Sequence, residues 1–362
     1  MKTKTCLWIS VLFVGLILGC SVMGAPAADA DGPDSKPQTG KPGGAETRSG
    51  LTETTGVEPP PSPPPPTPTP TPAAVLPLDG WLCFESNSDL WVMQPDGSQL
   101  QNITTSGSIW ELSPRLSPDG GSILYTNIQG DLALINRAGT GGRTILKGAE
   151  AKYPSWLPDG QQILYIGFSF GAGDFVSSIH LFDLNSGRDD IIYEKTGAAI
   201  VSAVASPDGE KIVFAADGLY RINIDGGGLV KILAALPDQM IASLDWSPDG
   251  QKIAFHTTHG VMGGADSWAE YGDIYVVNAD GSGLINLTRH APDPTISLEP
   301  GKNIFGIGSN PRWANNRQII FEYNEKSGTY ECKPYRINSD GTALELLVDQ
   351  QISGLDYQPA VP

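Results

Sequence analysis

The stretch LDWSPDGQKIAF, residues 244–255, decides the fold of this chain. A short strand ending in Trp246 leads into the turn S-P-D-G, and a second apolar strand ends in Phe255. Proline presets φ at the first corner of a type I turn. Aspartate accepts the second corner and bonds the backbone, and glycine accepts positive φ at the exit. These letters therefore predict two antiparallel strands joined by a tight turn.

The same segment recurs along the chain. S-P-D-G begins at residues 117, 206 and 247, with the variants LPDG at 157 and ANNR at 314. A strand ending in an aromatic residue follows each copy, and most units then add a third strand, an Asp-Gly turn and a fourth strand. The proline column averages a spacing of 47 residues between 77 and 359. A period of this length with four strands per unit is typical of propeller blades.

The last copy is incomplete in an informative way. Residues 355–359, LDYQP, repeat residues 244–248, but no further strand follows them, and the first unit begins at Pro77 without such a strand. The C-terminal strand is therefore predicted to complete the first blade, which removes exposed sheet edges. The predicted fold class is all-β, a six-bladed β-propeller over residues 77–362 closed by the C-terminal strand.

The repeats at 244–255 and 273–283 resemble those of TolB-type β-propellers and of the related WD-type propeller in dipeptidyl peptidase IV-like enzymes. The resemblance covers about residues 77–359 and implies a propeller in the periplasm. In the enzymes the propeller is joined to an α/β-hydrolase domain, and we expect no such second domain in this sequence. Because propeller blades serve many functions, the resemblance predicts fold more strongly than activity.

The N-terminus is predicted to direct export. Lys2 and Lys4 precede an apolar run at residues 7–18, which is too short to span a bilayer. The run ends in Gly19-Cys20, which resembles the lipobox of bacterial lipoproteins and implies a signal peptide at 1–19 with lipid on Cys20. Ordinary signal-peptidase cleavage within residues 25–30 is the alternative. Residues 20–76 are predicted to be a disordered tether, with ten prolines in 59–72.

Composition limits the partners. The formal net charge is −17, from 40 acidic and 23 basic residues, which argues against nucleic acid. No apolar run after the leader is long enough to cross a membrane, so membrane contact is expected through the lipid anchor alone. We also expect no cofactor and a monomeric propeller.

Long connections mark the predicted binding rim. They are the second-to-third strand loops at 257–272, 167–178 and 323–331 and the connection at 289–310. Connections of these two kinds emerge on the same rim, and long loops on a rigid scaffold often carry function. The candidate binding residues on or beside this rim are His256, His259, Asp266, Trp268, Glu270, Tyr271, Asp273 and His290.

Catalysis is not the favoured prediction. Residues 167–171, GFSFG, match a nucleophile elbow, but an elbow needs a helix after the turn and a strand follows here. The histidines near residue 256 are predicted to be solvated rather than metal ligands. We therefore predict a noncatalytic extracytoplasmic binding or scaffold protein whose partner is an envelope protein or glycan. The alternative is a hydrolase or lyase acting on glycan or peptide through rim carboxylates or histidines.

Charged residues also recur two positions before the turn serine. Closure places Asp356 between Arg115 and Arg312, and Asp245 also neighbours Arg312. The sequence predicts interblade ion pairs or hydrogen bonds among these four residues near the channel. Cys83 and Cys332 lie on blades that closure makes neighbours. A disulfide and two buried free thiols both remain open for this pair.

Overall fold

The computed structural model describes residues 78–105, 112–127, 129–171, 174–237, 239–262, 268–288, 304–324 and 332–360. These residues belong to one unit, Thr69–Pro362. They form strands and turns, and within these ranges there is no helix long and apolar enough to span a membrane. Cys20, the predicted tether, Asp266 and His290 lie outside the described residues.

The strands of the first three blades, in chain order, are β1 (Gly80–Ser86), β2 (Asp89–Met93), β3 (Gln101–Asn102), β4 (Leu112–Leu116), β5 (Ser122–Thr126), β6 (Leu132–Asn136), β7 (Arg143–Leu146), β8 (Lys152–Trp156), β9 (Gln162–Gly171), β10 (Asp174–Asp183) and β11 (Asp189–Thr196). The strands of the last three blades and the closing strand are β12 (Ser202–Ala205), β13 (Lys211–Ala215), β14 (Gly218–Asn223), β15 (Val230–Ala234), β16 (Met240–Trp246), β17 (Lys252–Met262), β18 (Trp268–Asn278), β19 (Ile285–Asn286), β20 (Ile304–Asn315), β21 (Gln318–Tyr323), β22 (Lys333–Asn338), β23 (Glu345–Leu346) and β24 (Ser353–Pro359).

Six four-stranded units follow from the pairing, and the predicted closure is confirmed. Blade 1 has the order β24-β1-β2-β3, so the last strand of the chain is its first strand in space. Leu82 pairs with Tyr357 and Cys83 with Asp356 across this seam. Blades 2, 3 and 4 are β4–β7, β8–β11 and β12–β15. Blade 5 is β16–β19 and blade 6 is β20–β23.

Blades 5 and 6 share one continuous sheet. The outer part of β18 pairs in parallel with the start of β20, from Ala269 opposite Ile304 to Gly272 opposite Ile307. The sequence did not predict this link, because it joins segments that the repeat assigns to connections.

Apolar clusters fill the spaces between successive sheets. The aromatic residues that end the second strands include Phe84, Phe214, Phe255 and Phe321, all fully buried. Trp246 packs with Phe255 of its own blade and Val213 of blade 4. Fully burying one side chain of this size contributes about 1.5–3 kcal/mol. The repeated aromatic column is thus the packing layer between blades.

The innermost strands carry a repeated bulge. Ser113, Tyr153, Ser243 and Asn310 have φ between 47° and 54°, and Gly354 occupies the same position in blade 1 with φ 65°. The strand register shifts at these positions in β4, β8, β16 and β20. A bulge bends its strand and re-aims the side chains that follow it. It therefore sets where the predicted charged column points.

Candidate functional site

The two faces of the ring differ. One face, here called the turn face, carries the S-P-D-G turns and the Asp-Gly turns. In each S-P-D-G turn the serine Oγ donates to the aspartate, at 2.6 Å between Ser247 and Asp249. The opposite face, here called the hairpin face, carries the second-to-third strand hairpins and the connections between blades.

Two segments predicted to be loops are strands. β9 runs to Gly171 and β10 begins at Asp174, and β17 and β18 pair out to Met262 and Trp268. The prediction of irregular loops at 167–178 and 257–272 is therefore wrong. In both places antiparallel pairing continues into a hairpin on the hairpin face, joined by β11 as far as Val176 in blade 3 and by the start of β20 in blade 5.

The blade 3 hairpin ends in an aromatic cluster. Phe170 is 79% exposed, the largest fraction among the described large apolar residues. Its ring meets that of Phe175 edge-on at 5.7 Å, and Phe168 stacks on Phe175 at 5.5 Å. This cluster is not among the predicted binding residues, although three phenylalanines within eight residues of a hairpin are a sequence signal for an exposed aromatic patch.

His256 does not lie on the rim. It pairs with Ala242 inside blade 5 and is 8% exposed, so the expectation of a solvated loop histidine is wrong. Burial, with the nearby positive charge of Arg312, lowers the pKa of His256 to about 4. Among the residues that the structure describes, its Nδ1 finds no hydrogen-bond partner. A neutral, enclosed imidazole is the state that this environment favours.

Asp273 has a structural role within blade 5. It accepts hydrogen bonds from Asn286 Nδ2 and Thr288 Oγ1, both at 2.8 Å. Blade 1 repeats the arrangement, where Asp89 accepts from Asn102 and Thr104. The motif ties the third strand of a blade to its fourth strand, which explains Asp273 without a ligand.

The remaining rim candidates are only partly located. His259, Trp268, Glu270 and Tyr271 lie in the outer β17–β18 hairpin, where His259 pairs with Tyr271. Their side chains, like Asp266 and His290, fall outside what the structure describes. Within the described part of the chain, no three His, Cys, Asp or Glu side chains are grouped to hold a metal ion.

Three of the four channel residues form interblade bonds. Arg312 Nε donates to Asp356 Oδ1 at 2.6 Å, and the other oxygen of Asp356 accepts the Leu116 N–H at 2.8 Å. Asp245 accepts a hydrogen bond from the Trp313 backbone N–H at 2.6 Å, rather than from the Arg312 guanidinium. These bonds join blade 1 to blades 6 and 2, and blade 5 to blade 6.

The sequence predicts that Arg115 pairs with Asp356. Its Nη1 instead donates a hydrogen bond to the Pro114 carbonyl oxygen. Burial and the charge of Arg312 lower its pKa to about 10. Burial also raises the pKa of Asp245 to about 6. Both shifts follow from enclosing charged groups in the interior of the ring.

Glu322 completes the channel network and was missed from the sequence. Its carboxylate accepts from Asn310 at 2.9 Å, from Ser309 at 3.0 Å and from the Leu355 N–H at 2.5 Å. It directly follows the aromatic column residue Phe321 and is 4% exposed. The sequence signal for Glu322 is an acidic residue at a position of the repeat that is buried.

A second polar network lies in blade 3. Tyr165 Oη donates to Asp189 at 2.6 Å, and Ser178 Oγ lies 2.9 Å from His180 Nε2. His180 Nδ1 lies 3.3 Å from Asp189. Although these contacts resemble a catalytic triad, Ser178 pairs with both β9 and β11 and is 8% exposed. We interpret the network as structural. Ser169 of the GFSFG match lies within β9, so no elbow forms there.

The two cysteines in the described part of the chain, Cys83 and Cys332, are free thiols. Cys83 is fully buried in β1, and Cys332 is partly buried. Burial raises the pKa of Cys83 well above its ordinary value and that of Cys332 to about 12. Of the two alternatives that the sequence left open, the structure contains the unbonded thiols.

No family model and no curated protein matches this sequence. Among solved structures it is similar to a chain of the nidogen/laminin complex, at 9% identity over 77% of this chain and 98% of that chain, with a TM-score of 0.51. It is also similar to oligogalacturonate lyase from Vibrio parahaemolyticus, at 13% identity over 71% and 70% of the two chains, TM-score 0.47. A third is the β-propeller domain of the Trilobed protease from Pyrococcus furiosus, at 14% identity over 71% and 73%, TM-score 0.42. The strand pairing of the chain defines a six-bladed β-propeller, and at 9% identity the likeness to the nidogen/laminin chain bears on fold alone.

Proposed function

We propose that this chain is an exported lipoprotein whose propeller binds an envelope protein, without catalysis, through the blade 3 hairpin. The export and the lipid on Cys20 rest on the leader sequence. The observation that carries the binding role is the free edge of β9 beside an exposed phenylalanine.

The edge arises where one strand stops early. β8 pairs with β9 only as far as Ile166, whereas β10 continues to pair with it as far as Gly171. Among the described strands, residues 167–171 of β9 therefore pair with β10 alone. An unpaired edge offers N–H and C=O groups that an extended peptide can bond as an added strand.

Phe170 gives this edge an apolar anchor. It lies within the same five residues, and its ring contacts that of Phe175 edge-on. Exposed, pre-positioned aromatic residues dominate many protein interfaces. Main-chain pairing together with an aromatic anchor suits a polypeptide better than a glycan, so we propose a protein partner.

The described channel carboxylates have structural roles. They bond to Arg312 and to backbone N–H groups of neighbouring blades. Carboxylates engaged in this way serve the ring, so the alternative hydrolase or lyase would act through rim carboxylates or histidines and not through these channel groups.

The test is a titration with a matched control. A partner captured from envelope extract is purified and titrated with the wild-type chain, with Phe170→Ser and with Leu344→Ser, which removes an exposed apolar residue from the turn face. We expect Phe170→Ser to weaken binding at least about 30-fold and Leu344→Ser to leave the affinity unchanged. Equal affinities, or a partner whose binding is lost on glycosidase treatment, would contradict the proposal.

A further inference from the structure

The ring seam leaves a pocket on the turn face. Blade 1 is closed by the two ends of the propeller chain, so it has no S-P-D-G turn between β24 and β1. A pocket of about 360 Å³ lies there, within the usual size range of small-molecule sites. Its lining includes Asp79, Trp81, Gln94, Asp119, Arg137 and Gln358.

The backbones of β1 and β24 lie very close together at the seam. Gly80 has φ 121°, and a Cβ at this position would lie 2.2 Å from the Gln358 carbonyl oxygen. Only glycine can occupy this position without displacing β24. The first residue of β1 can therefore lie directly beside the last residues of β24, and two residues at the opening, Trp81 and Gln358, lie in these paired strands.

Four lining residues depart from the repeat at their positions. Trp81 stands where the other blades have Ser122, Gln162, Lys211, Lys252 and Gln318. Gln94 stands where they have Asn136, Asp183, Asn223, Asn278 and Asn338. At the position of Arg137 the other blades have Pro95, Leu184, Ile224, Ala279 and Ser339. At the position of Gln358 they have Ser117, Leu157, Ser206, Ser247 and Ala314.

These departures converge on one opening although they come from two strands, β1 and β24, and from the turns that follow β2 and β6. In S-P-D-G turns the serine hydroxyl bonds the turn aspartate, as Ser206 bonds Asp208. Gln358 has no such turn to stabilise, and its longer side chain lines the pocket instead. The repeat does not require Trp81, Arg137 or Gln358 here, whereas Gln94 keeps the side-chain bond that the repeat makes in its turn, accepting from Ser98 Oγ at 2.8 Å.

Several lining groups are already positioned. The Arg137 guanidinium lies 4.1 Å from the centre of the Trp81 ring, and its Nη1 donates to the Gly120 carbonyl at 2.7 Å. Trp81 pairs with Gln358 across the seam. Asp119 accepts the Gly121 N–H at 2.9 Å. A ligand would therefore meet a preformed set of donors and acceptors.

The chemistry of the lining points to a neutral polyhydroxylated ligand, and we propose that this pocket binds a short neutral saccharide. Asp79 and Asp119 disfavour an anion, and Arg137 disfavours a cation. Two amides, two carboxylates and a guanidinium supply both acceptors and donors, which matches hydroxyl groups that do both. The half-buried indole of Trp81 adds an apolar wall. The pocket lies on the turn face, so this site is separate from the protein-binding hairpin.

The test uses the whole exported chain and three neutral disaccharides as probes: cellobiose, maltose and N,N′-diacetylchitobiose. Binding is measured by calorimetry and by saturation-transfer NMR for the wild type, Gln358→Ala and Gln251→Ala. Gln251 is an exposed glutamine on the same face of blade 5 and serves as the control. We expect at least one probe to bind at 1:1 stoichiometry, about tenfold more weakly to Gln358→Ala and equally to Gln251→Ala.

Three results would overturn the proposal. They are no binding of any probe at millimolar concentration, equal binding by Gln358→Ala, and binding of glucuronate in place of the neutral sugars. Phe170→Ser is expected to bind the saccharide normally, and loss of binding in that variant would contradict the separation of the two sites.

Discussion

Arg312 Nε lies 2.6 Å from Asp356 Oδ1, and this pair joins blade 6 to the strand that closes the ring. The second oxygen of Asp356 holds the Leu116 N–H of blade 2, and Glu322 of blade 6 holds the Leu355 N–H. The closing strand is therefore fastened on both sides by hydrogen bonds to carboxylates inside the ring. Arg312 and Asp356 are only 4% and 6% exposed. Removing either side chain therefore leaves the charge of the other one buried without its partner.

The first prediction concerns this pair. Asp356→Ala leaves the Arg312 guanidinium buried without its carboxylate, and we expect the free energy of unfolding to fall by about 3–5 kcal/mol. Urea denaturation measures the change. The double variant Arg312→Met/Asp356→Leu is expected to recover most of the loss. Arg336→Ala, which breaks the exposed bridge to Glu345, should cost less than about 1 kcal/mol. An Asp356→Ala variant as stable as the Arg336→Ala variant would contradict the closure role.

The second prediction concerns pH. The folded pKa of His256 is about 4, below its ordinary value of 6.5, so the unfolded chain binds more protons between these values. Stability is therefore expected to fall as the pH drops from about 6.5 to about 4, by up to about 3 kcal/mol from this residue. Denaturation of His256→Gln across this range should show a shallower loss than the wild type.

Asp245 supplies the opposing control. Its folded pKa is raised to about 6, so in the same window the folded state binds more protons and its contribution falls as the pH rises. Asp245→Asn should therefore steepen the loss of stability on acidification. Identical pH profiles for wild type, His256→Gln and Asp245→Asn would contradict the assigned burial of both groups.

The third prediction concerns the thiols. With Cys83 fully buried and the pKa of both thiols raised, a thiol reagent at pH 8 should modify the folded protein slowly. In denaturant without reductant, the chain from residue 21 onward should release two equivalents. Fewer than two would indicate a disulfide and would contradict the structure.

The fourth prediction concerns anchoring. If Cys20 carries the lipid, Cys20→Ser should move the protein from the membrane fraction to the soluble fraction of the envelope. Mass spectrometry of the wild-type N-terminus should find an acylated cysteine. A mature N-terminus within residues 26–31 in the wild type would show ordinary cleavage instead.

The repeat made the fold predictable. The S-P-D-G turns, the aromatic column and the copy of LDWSP near the C-terminus specify local turns, interblade packing and the closing strand. These follow from φ preferences and hydrophobic burial within one unit, so they can be inferred from the letters alone. The bond between Arg312 and Asp356 was within reach for the same reason, since both occupy one repeat column.

The sites were less predictable because they depend on pairing between units. The outer halves of β9 and β18 look like loop sequence, with Gly167, Gly171 and Gly272, and their strand character comes from partners that local propensity does not reveal. The sequence predicts His256 on a rim because it also predicts that a loop starts at residue 257. The seam pocket could not be predicted from sequence, because only the structure shows which repeat positions face it. Once those positions are known, the departures of Trp81 and Gln358 from the repeat point to the pocket.

The most direct test of the proposed function is site-specific photo-crosslinking in intact cells. A photoreactive phenylalanine analogue is placed at Phe170, and in a separate strain at Leu344 on the turn face. We expect one dominant protein adduct from position 170, mapped by mass spectrometry to residues 167–171 and an extended segment of the partner. No matching adduct is expected from position 344. Adducts of equal yield from both positions, or none from position 170, would contradict binding at the blade 3 hairpin.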